Sequence, residues 1–476
     1  MCGILAFIGK PPDADALAEA LQLIRHRGQD GLGVWHCQAT ASGHSTMHYR
    51  QTRRAGVRIA RDLPDADHLV FVAHWRYATR GGGRLDDVHP ILIDGGDAAI
   101  AHNGQFQFRP NGGETSVSDT RLFARRVERD GSPRLVDRIF AGLEGVGGAF
   151  ALVAADSAGL VTARDRFGIR PLFGSPYRGG MAFSSEMPAL RRLGCFDIAE
   201  VPRGSVTGWS ACGAEATRDL PAAPLASCSF ESIYFHAAEG RIRGQSVDVV
   251  RQRLGRELAR ECPAVGDLVA AVPQSGSSFA RGFAAATGLP LKTALSLSPD
   301  AGRTFIEGAS SRAEAIRRKY VFDPAVVSGR AVVVIDDSLV RGATMGHVTG
   351  ALRAAGARQV HARIGSPQFA HPCFFGIDVP DRAELVCEGR GLAEVATLLG
   401  LDSLGFLSLA GLHRVLGQEI CTGCFSGLYP EGALSPRLLL PGGTLVPDSG
   451  LFASGEDDPS PVTRNARRLA GAGQRP

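Results

Sequence analysis

Two short apolar runs in the second half of the chain constrain its fold more than any other feature. Ala331-Val332-Val333-Val334-Ile335 leads directly into Asp336-Asp337-Ser338, and residues 268–272 lead into Pro273-Gln274-Ser275-Gly276-Ser277-Ser278. A continuous β-branched run, unlike an alternating one, suits a strand buried on both faces of a parallel sheet. Each run is followed by a polar, Gly-containing turn and then a helical pattern. In open α/β sheets ligands bind at the carboxyl ends of the strands, which is where these turns would lie.

A chain of 476 residues is too long for one ordinary core, so two domains with extensions are expected. The first half reads as mixed α and β. Ala and Leu recur at helical spacing over residues 15–24, and strand-like runs follow at 69–73, 98–101, 149–154 and 181–184, punctuated by Gly and Pro. Pro221 to Pro224 reads as a linker, and the residues from Ser454 on read as a disordered tail. With 52 basic against 48 acidic residues, the net charge is only +4. That balance argues against a nucleic-acid surface spread over the molecule. No apolar run reaches the ~18–20 residues of a membrane span, and the start lacks a basic signal-peptide region. A cytoplasmic protein is expected. Ten cysteines in such a chain read as core thiols, catalytic groups or metal ligands, not as a disulfide scaffold.

Cys2 follows Met1 directly. Removal of Met1 leaves a thiol and an α-amine on one residue, and an amine with a pKa near ~8 can act as general base for the thiol. Polar clusters that could meet around it are Arg25-His26-Arg27-Gly28-Gln29-Asp30-Gly31, His74-Trp75-Arg76-Tyr77-Ala78-Thr79, His102-Asn103-Gly104 and Ser118-Asp119-Thr120. A thiol attacking an amide needs an oxyanion hole, which an Asn side chain beside a Gly N–H supplies, as in Asn103-Gly104. An amino-acid substrate needs a cation for its carboxylate and an anion for its ammonium, as Arg76 and Asp119 offer. In this order the clusters resemble the class II glutamine amidotransferases. The resemblance implies an N-terminal-nucleophile αββα sandwich. In it Cys2 is nucleophile and base, Asn103 and Gly104 form the oxyanion hole, and Arg76 with Asp119 clamp glutamine.

Residues 332–344 bring two adjacent acids to a turn and then hydroxyls and a Gly to a helix start. Helix N-termini bind phosphate, and paired acids at a strand end hold Mg²⁺ or ribose hydroxyls. The string resembles the phosphoribosyl pyrophosphate motif of type I phosphoribosyltransferases. The resemblance places Asp336 and Asp337 at ribose and metal, and Ser338, Val340, Arg341, Gly342, Ala343 and Thr344 around the 5-phosphate. It makes the 273–278 turn the pyrophosphate loop, with Ser275 joining the acids at Mg²⁺. Gly302-Arg303-Thr304-Phe305-Ile306 and Lys319 become a closing loop, with Arg303 and Lys319 on the substrate.

Cys421-Thr422-Gly423-Cys424 is a C-x-x-C, by spacing half a zinc site, a redox pair or half an iron–sulfur site. Taken together the two halves resemble the glutamine phosphoribosylpyrophosphate amidotransferase family of purine synthesis, in its iron–sulfur branch. Further strings that match are those of residues 164–172, Ser184-Ser185-Glu186 and 366–378. The resemblance nominates Cys228, Cys373, Cys421 and Cys424 as ligands of a [4Fe–4S] cluster. It divides the chain into a glutaminase domain (2–220), a linker (221–240), a phosphoribosyltransferase domain with a parallel sheet (241–410), a C-terminal segment with cluster cysteines (411–453) and a tail (454–476). It implies Mg²⁺ as cofactor, glutamine and phosphoribosyl pyrophosphate as substrates, purine nucleotides as inhibitors and a homo-oligomer, a tetramer in the family. The chain departs from the family pattern at Gln274, where an Asp is usual, at Ala343, where a Thr is usual, and in the segment before Gly302. Two other readings stay open: an amidotransferase acting on another sugar phosphate, and a non-catalytic phosphoribosyl pyrophosphate-binding regulator.

Overall fold

The computed structural model describes residues 1–39, 45–52, 63, 66–77, 87–108, 117–298, 319–379, 382–430, 438–439 and 445–446. Two compact units divide the chain. One takes the described residues of Met1–Cys228, Cys373–Pro380 and Leu428–Pro476, and the other those of Ser229–Pro372 and Asp381–Gly427. Cys373–Pro380 therefore groups with the first unit, although it lies within the stretch expected to be the second domain.

The strands of the first unit are β1 (Gly3–Gly9), β2 (Gly31–Ala39), β3 (Ser45–Thr52), β4 (Leu69–Arg76), β5 (Ile91–Ile93), β6 (Ala98–Gln107), β7 (Gly147–Ala155), β8 (Leu160–Arg164), β9 (Phe173–Tyr177), β10 (Gly180–Ser184), β11 (Ala199–Glu200), β12 (Ser205–Ser210) and β13 (Gly213–Asp219). They form one sheet in the order β11-β9-β10-β1-β4-β2-β3 and another in the order β13-β12-β8-β7-β6-β5. Alternation along β1 shows how the layers stack. Leu5 and Phe7 pack with Leu17, Ala20 and Leu21 of the helix Ala14–Leu23. Ile4, Ala6 and Ile8 face the other way and pack with Ala99, Ala101, Ala151 and Val153 of the second sheet. The alanines opposite Ile4, Ile8 and Trp35 let large side chains of one sheet fill the space left by small ones of the other. The far face of the second sheet is covered by Phe123, Val127 and Ile139, from the helices Asp119–Arg129 and Leu135–Leu143. The result is the expected four-layer αββα sandwich.

In the second unit four parallel strands run in the order Leu268–Ala271, Ala331–Asp336, Gln359–Ile364 and Ser403–Phe406. Every residue of Ala331–Asp336 is buried, as its unbroken apolar run requires. Val332 and Val334 join Leu268, Val348, Leu352, Val360 and Val395 in the core, and each buried side chain of this size contributes about 1.5–3 kcal/mol. Asp336 is the last residue of its strand, so the acidic turn lies at a carboxyl end. The stretch 221–240, expected to be a linker, contains a π-helical turn, Glu231–Phe235. Arg251 secures it by donating to the carbonyls of Ser232, Tyr234 and His236. No helix among the described residues is long and apolar enough to cross a membrane.

Candidate active site

Cys2 is held at the entrance of β1 by three groups distant in sequence. Its N–H donates to Asn103 Oδ1 at 3.0 Å. Its carbonyl accepts from Arg27 Nε at 3.1 Å. Its Sγ accepts from the Tyr77 N–H at 3.5 Å. Burial alone would push the thiol up, but the His74 imidazole, the chain's terminal amine and the Tyr77 N–H outweigh it and bring the thiol from 9.0 down to about 7. Met1 precedes Cys2 and is buried.

Asn103 lies on β6 and is 0% exposed. Because the Cys2 N–H can bond only to an acceptor, it fixes the orientation of the amide. The Nδ2 donor is then left without a protein partner. Gly104 follows with φ +136, a conformation that L side chains rarely adopt. A Cβ there would lie 2.0 Å from the Ala149 carbonyl oxygen of β7, so the backbone of this strand pair requires glycine.

The proposed glutamine clamp is placed by the same strands. In the pairing of β1 with β4, Gly3 is opposite Trp75, which brings Cys2 level with Arg76, the last residue of β4. Arg76 is 5% exposed and lies 3.7 Å from Asp87. Asp87 in turn binds Arg121 at 3.1 Å. Asp119 opens the helix Asp119–Arg129 behind the Ser118 cap, and its Oδ2 accepts from Phe106 N at 2.8 Å, three residues along β6 from Asn103. Sequence reasoning missed Asp87 altogether, since nothing in its neighbourhood marks it. Arg27 and Glu186 each lie in a motif visible in the sequence, but their pairing, 159 residues apart, has no local signal.

In the second unit Asp336 and Asp337 are both buried. Asp337 N–H donates to Asp336 Oδ1 at 3.0 Å, and the Ser338 hydroxyl donates to Asp337 Oδ2 at 2.5 Å. Burial, and then the neighbouring Asp337 charge, hold the Asp336 carboxyl well above the usual range, while Lys319 acts in the opposite direction. Lys319 is thus within electrostatic reach of the acids. Gly342, at φ +80, precedes the helix Ala343–Ala354, so Ala343 and Thr344 open its first turn. The Val340 carbonyl accepts from Val386 N, and Arg341 Nε binds Glu384 at 2.5 Å. A Cβ on Gly276 would lie 2.5 Å from the Ile335 carbonyl oxygen, so the turn that carries Ser275 abuts the acidic strand end. Arg303 and the 302–306 string, like the 454–476 tail, lie outside the described residues.

Of the four candidate cluster cysteines, Cys228, Cys421 and Cys424 are buried and Cys373 is half-buried. Cys228 and Cys373 belong to the first unit, Cys421 and Cys424 to the second. Among the described residues no three His, Cys, Asp or Glu side chains are gathered as a metal-holding group.

A model described as a glutamine amidotransferase domain matches residues 89–192. The amidophosphoribosyltransferase of Bacillus subtilis (strain 168) is 34% identical over 449 residues, which cover 90% of this chain and 94% of that protein. That of Pyrococcus horikoshii is 37% identical, over 87% of this chain and 93% of its own length. Two solved structures match across both halves of the chain. One is the glutamine phosphoribosylpyrophosphate amidotransferase from B. subtilis complexed with ADP and GMP, at TM-score 0.77 and 30% identity, covering 90% of this chain and 97% of that one. The other is the allosteric regulatory enzyme of purine biosynthesis, at TM-score 0.78 and 31% identity, covering 90% and 96%. A sandwich with Cys2 at the entrance of its first strand and a parallel sheet with an acidic turn at a strand end lie in one chain, and likeness of this extent over both has one explanation: the chain belongs to the amidophosphoribosyltransferase family.

Proposed function

We propose that the chain makes 5-phosphoribosylamine from phosphoribosyl pyrophosphate and glutamine, the opening reaction of purine synthesis. One observation carries the glutaminase half of this reading. The Asn103 amide spends its oxygen on Cys2 and leaves a buried, unpartnered Nδ2 donor beside a thiol lowered to about 7. A preorganised donor of this kind stabilises an oxyanion more than a ground-state carbonyl.

Once Met1 is removed, the Cys2 thiolate attacks the side-chain amide carbon of glutamine. The oxyanion is received by Asn103 Nδ2 and the Gly104 N–H. The C–N bond breaks as the Cys2 amine passes a proton to the leaving nitrogen, and ammonia departs. Water then cleaves the thioester to glutamate and restores the thiol. At the second site ammonia attacks C1 of phosphoribosyl pyrophosphate, the C1–O bond to pyrophosphate breaks, and the new amine loses a proton. Ser338 to Thr344 hold the 5-phosphate at a helix N-terminus, and Lys319 and Arg303 offset charge on the leaving pyrophosphate. Two buried, adjacent carboxylates form a donor set that suits a hard divalent cation, so Asp336, Asp337 and Ser275 are assigned to Mg²⁺. When bound, Mg²⁺ neutralises charge on the pyrophosphate.

A [4Fe–4S] cluster on Cys228, Cys373, Cys421 and Cys424 rests on the sequence strings, and no step of the reaction is assigned to it. Iron and acid-labile sulfide in equal amounts in anaerobically purified protein support it; zinc, or no metal, refutes it. Inhibition by purine nucleotides is proposed because the B. subtilis relative was solved with ADP and GMP. Cytoplasmic location and a homotetramer complete the reading.

The test is a steady-state assay that follows glutamate and pyrophosphate together, with expected yields of one each per glutamine consumed. Glutamine turnover without pyrophosphate release refutes the acceptor. Gln274, an uncharged side chain in the pyrophosphate loop, favours a second reading in which another sugar phosphate is aminated, and the same assay with alternative acceptors separates the two.

A further inference from the structure

We propose that the buried ion pair of Arg27 with Glu186 is a positioning device for the nucleophile, aiming the main chain of Cys2. The inference rests on the reading of Cys2 as the glutaminase nucleophile. A chain terminus frays unless it is tied down, and removal of Met1 makes Cys2 the terminus that must carry both thiol and base. Its ties come from elsewhere in the sandwich. Arg27 Nε donates to the Cys2 carbonyl at 3.1 Å, and Ser185 Oγ accepts from Ile4 N at 3.0 Å. Gly3 permits this approach, since a Cβ there would lie 2.8 Å from the Ile24 carbonyl oxygen and 3.5 Å from Arg27 Cβ.

The direction of the Arg27 tie is set by Glu186. Arg27 Nη1 lies 2.7 Å from Glu186 Oε1, and both side chains are 0% exposed. His26 Nε2 approaches the same oxygen at 3.3 Å. A guanidinium is rigid and planar, so anchoring Nη1 on Glu186 determines where the Nε–H points. A fully desolvated ion pair is a poor source of stability, because an apolar pair of similar volume usually folds as well or better. What an apolar pair cannot do is donate to the Cys2 carbonyl. Since a nucleophile displaced by about 1 Å can lose about 100-fold in rate, the pair has its effect on turnover, through Cys2.

The test compares four proteins in one assay of glutamine-dependent and ammonia-dependent synthesis, with thermal unfolding alongside: wild type, Cys2→Ala, Glu186→Gln and the double variant Arg27→Met with Glu186→Leu. The double variant should unfold near the wild-type temperature and keep its ammonia-dependent rate. Its glutamine-dependent kcat should fall about 10- to 100-fold, with KM for glutamine within about threefold. Glu186→Gln, which keeps an acceptor for Nη1, should fall less. Glutamine turnover by the double variant at the wild-type rate overturns the proposal. So does loss of folded protein in both Glu186 variants, which makes the pair a folding element and nothing more. Glutamine turnover that survives in Cys2→Ala refutes the underlying nucleophile assignment instead, and is told apart by that arm alone.

Discussion

The two sites of this chain are assembled in opposite ways. The glutaminase candidates come from far-separated strands of one sandwich and are bonded to one another: Cys2 to Asn103 and Arg27, and Arg76 to Asp87. The phosphoribosyl candidates are mostly one contiguous turn, in which the Asp336 carboxylate accepts from the Asp337 N–H and the Asp337 carboxylate from the Ser338 hydroxyl. Burial and Asp337 hold the Asp336 carboxyl up because the protein alone leaves its charge poorly offset. The difference follows from what each substrate carries. Glutamine is small and its amide neutral, so the protein must supply the preorganised dipoles itself. Phosphoribosyl pyrophosphate comes with its own dense charge, so its site can be left incomplete until it binds.

This contrast breaks most readily at Cys2. Cys2→Ala should lower glutamine-dependent synthesis by at least about 1,000-fold, with ammonia-dependent synthesis retained, as measured with the two nitrogen sources on one preparation. Loss of both activities would join two sites that the contrast separates. Asn103→Ala removes the free Nδ2 donor and should cost about 100- to 1,000-fold in glutamine-dependent kcat, again sparing ammonia.

Asp337→Asn is the mirror experiment and should cut synthesis from both nitrogen sources by about 10- to 100-fold. Glutamine hydrolysis measured alone should stay near wild type. The thiol offers a pH test of the same division. The folded protein holds the Cys2 proton less tightly than an ordinary thiol, so thiolate dominates above about pH 7. Loss of glutamine-dependent activity to iodoacetamide should therefore be pH-independent above that value and slow about tenfold for each unit below it. A midpoint near 9 would show that burial cancels the opposing charges.

The same contrast explains what could be read from the sequence. The strand and turn of the phosphoribosyl candidates were legible because they are contiguous: an unbroken apolar run ending in Asp336-Asp337 states a buried strand and its end within a few residues. The four layers of the sandwich were legible only through resemblance, since the unbroken apolar run of β1 says that both faces are packed but not against what. The identities of Asn103 and Gly104 were readable as an Asn-Gly pair. The positive φ of Gly104 on a strand depends on Ala149, 45 residues away, and the orientation of the Asn103 amide on Cys2, 101 residues away. Arg27 with Glu186, and Asp87 with Arg76, escaped because an ion pair between distant segments leaves no periodicity. The π-helical turn within the expected linker had no local signal, because the grip of Arg251 on it comes from the following helix.

The smallest expected effect probes the acceptor side at Gln274. If that site is completed by its substrate's charge, one added carboxylate in the pyrophosphate loop should be felt through the metal and not through the fold. Gln274→Asp should therefore lower KM for phosphoribosyl pyrophosphate by up to about tenfold at saturating Mg²⁺, the scale of one charge-assisted contact. The gain should shrink as Mg²⁺ is lowered, because an uncompensated Asp beside pyrophosphate repels it. An equal KM at every Mg²⁺ concentration would show that residue 274 lies outside the reach of the metal. A KM that rises at saturating Mg²⁺ would mean that the uncharged side chain is an adaptation of this loop to its acceptor, and would turn attention to sugar phosphates with a less charged leaving group.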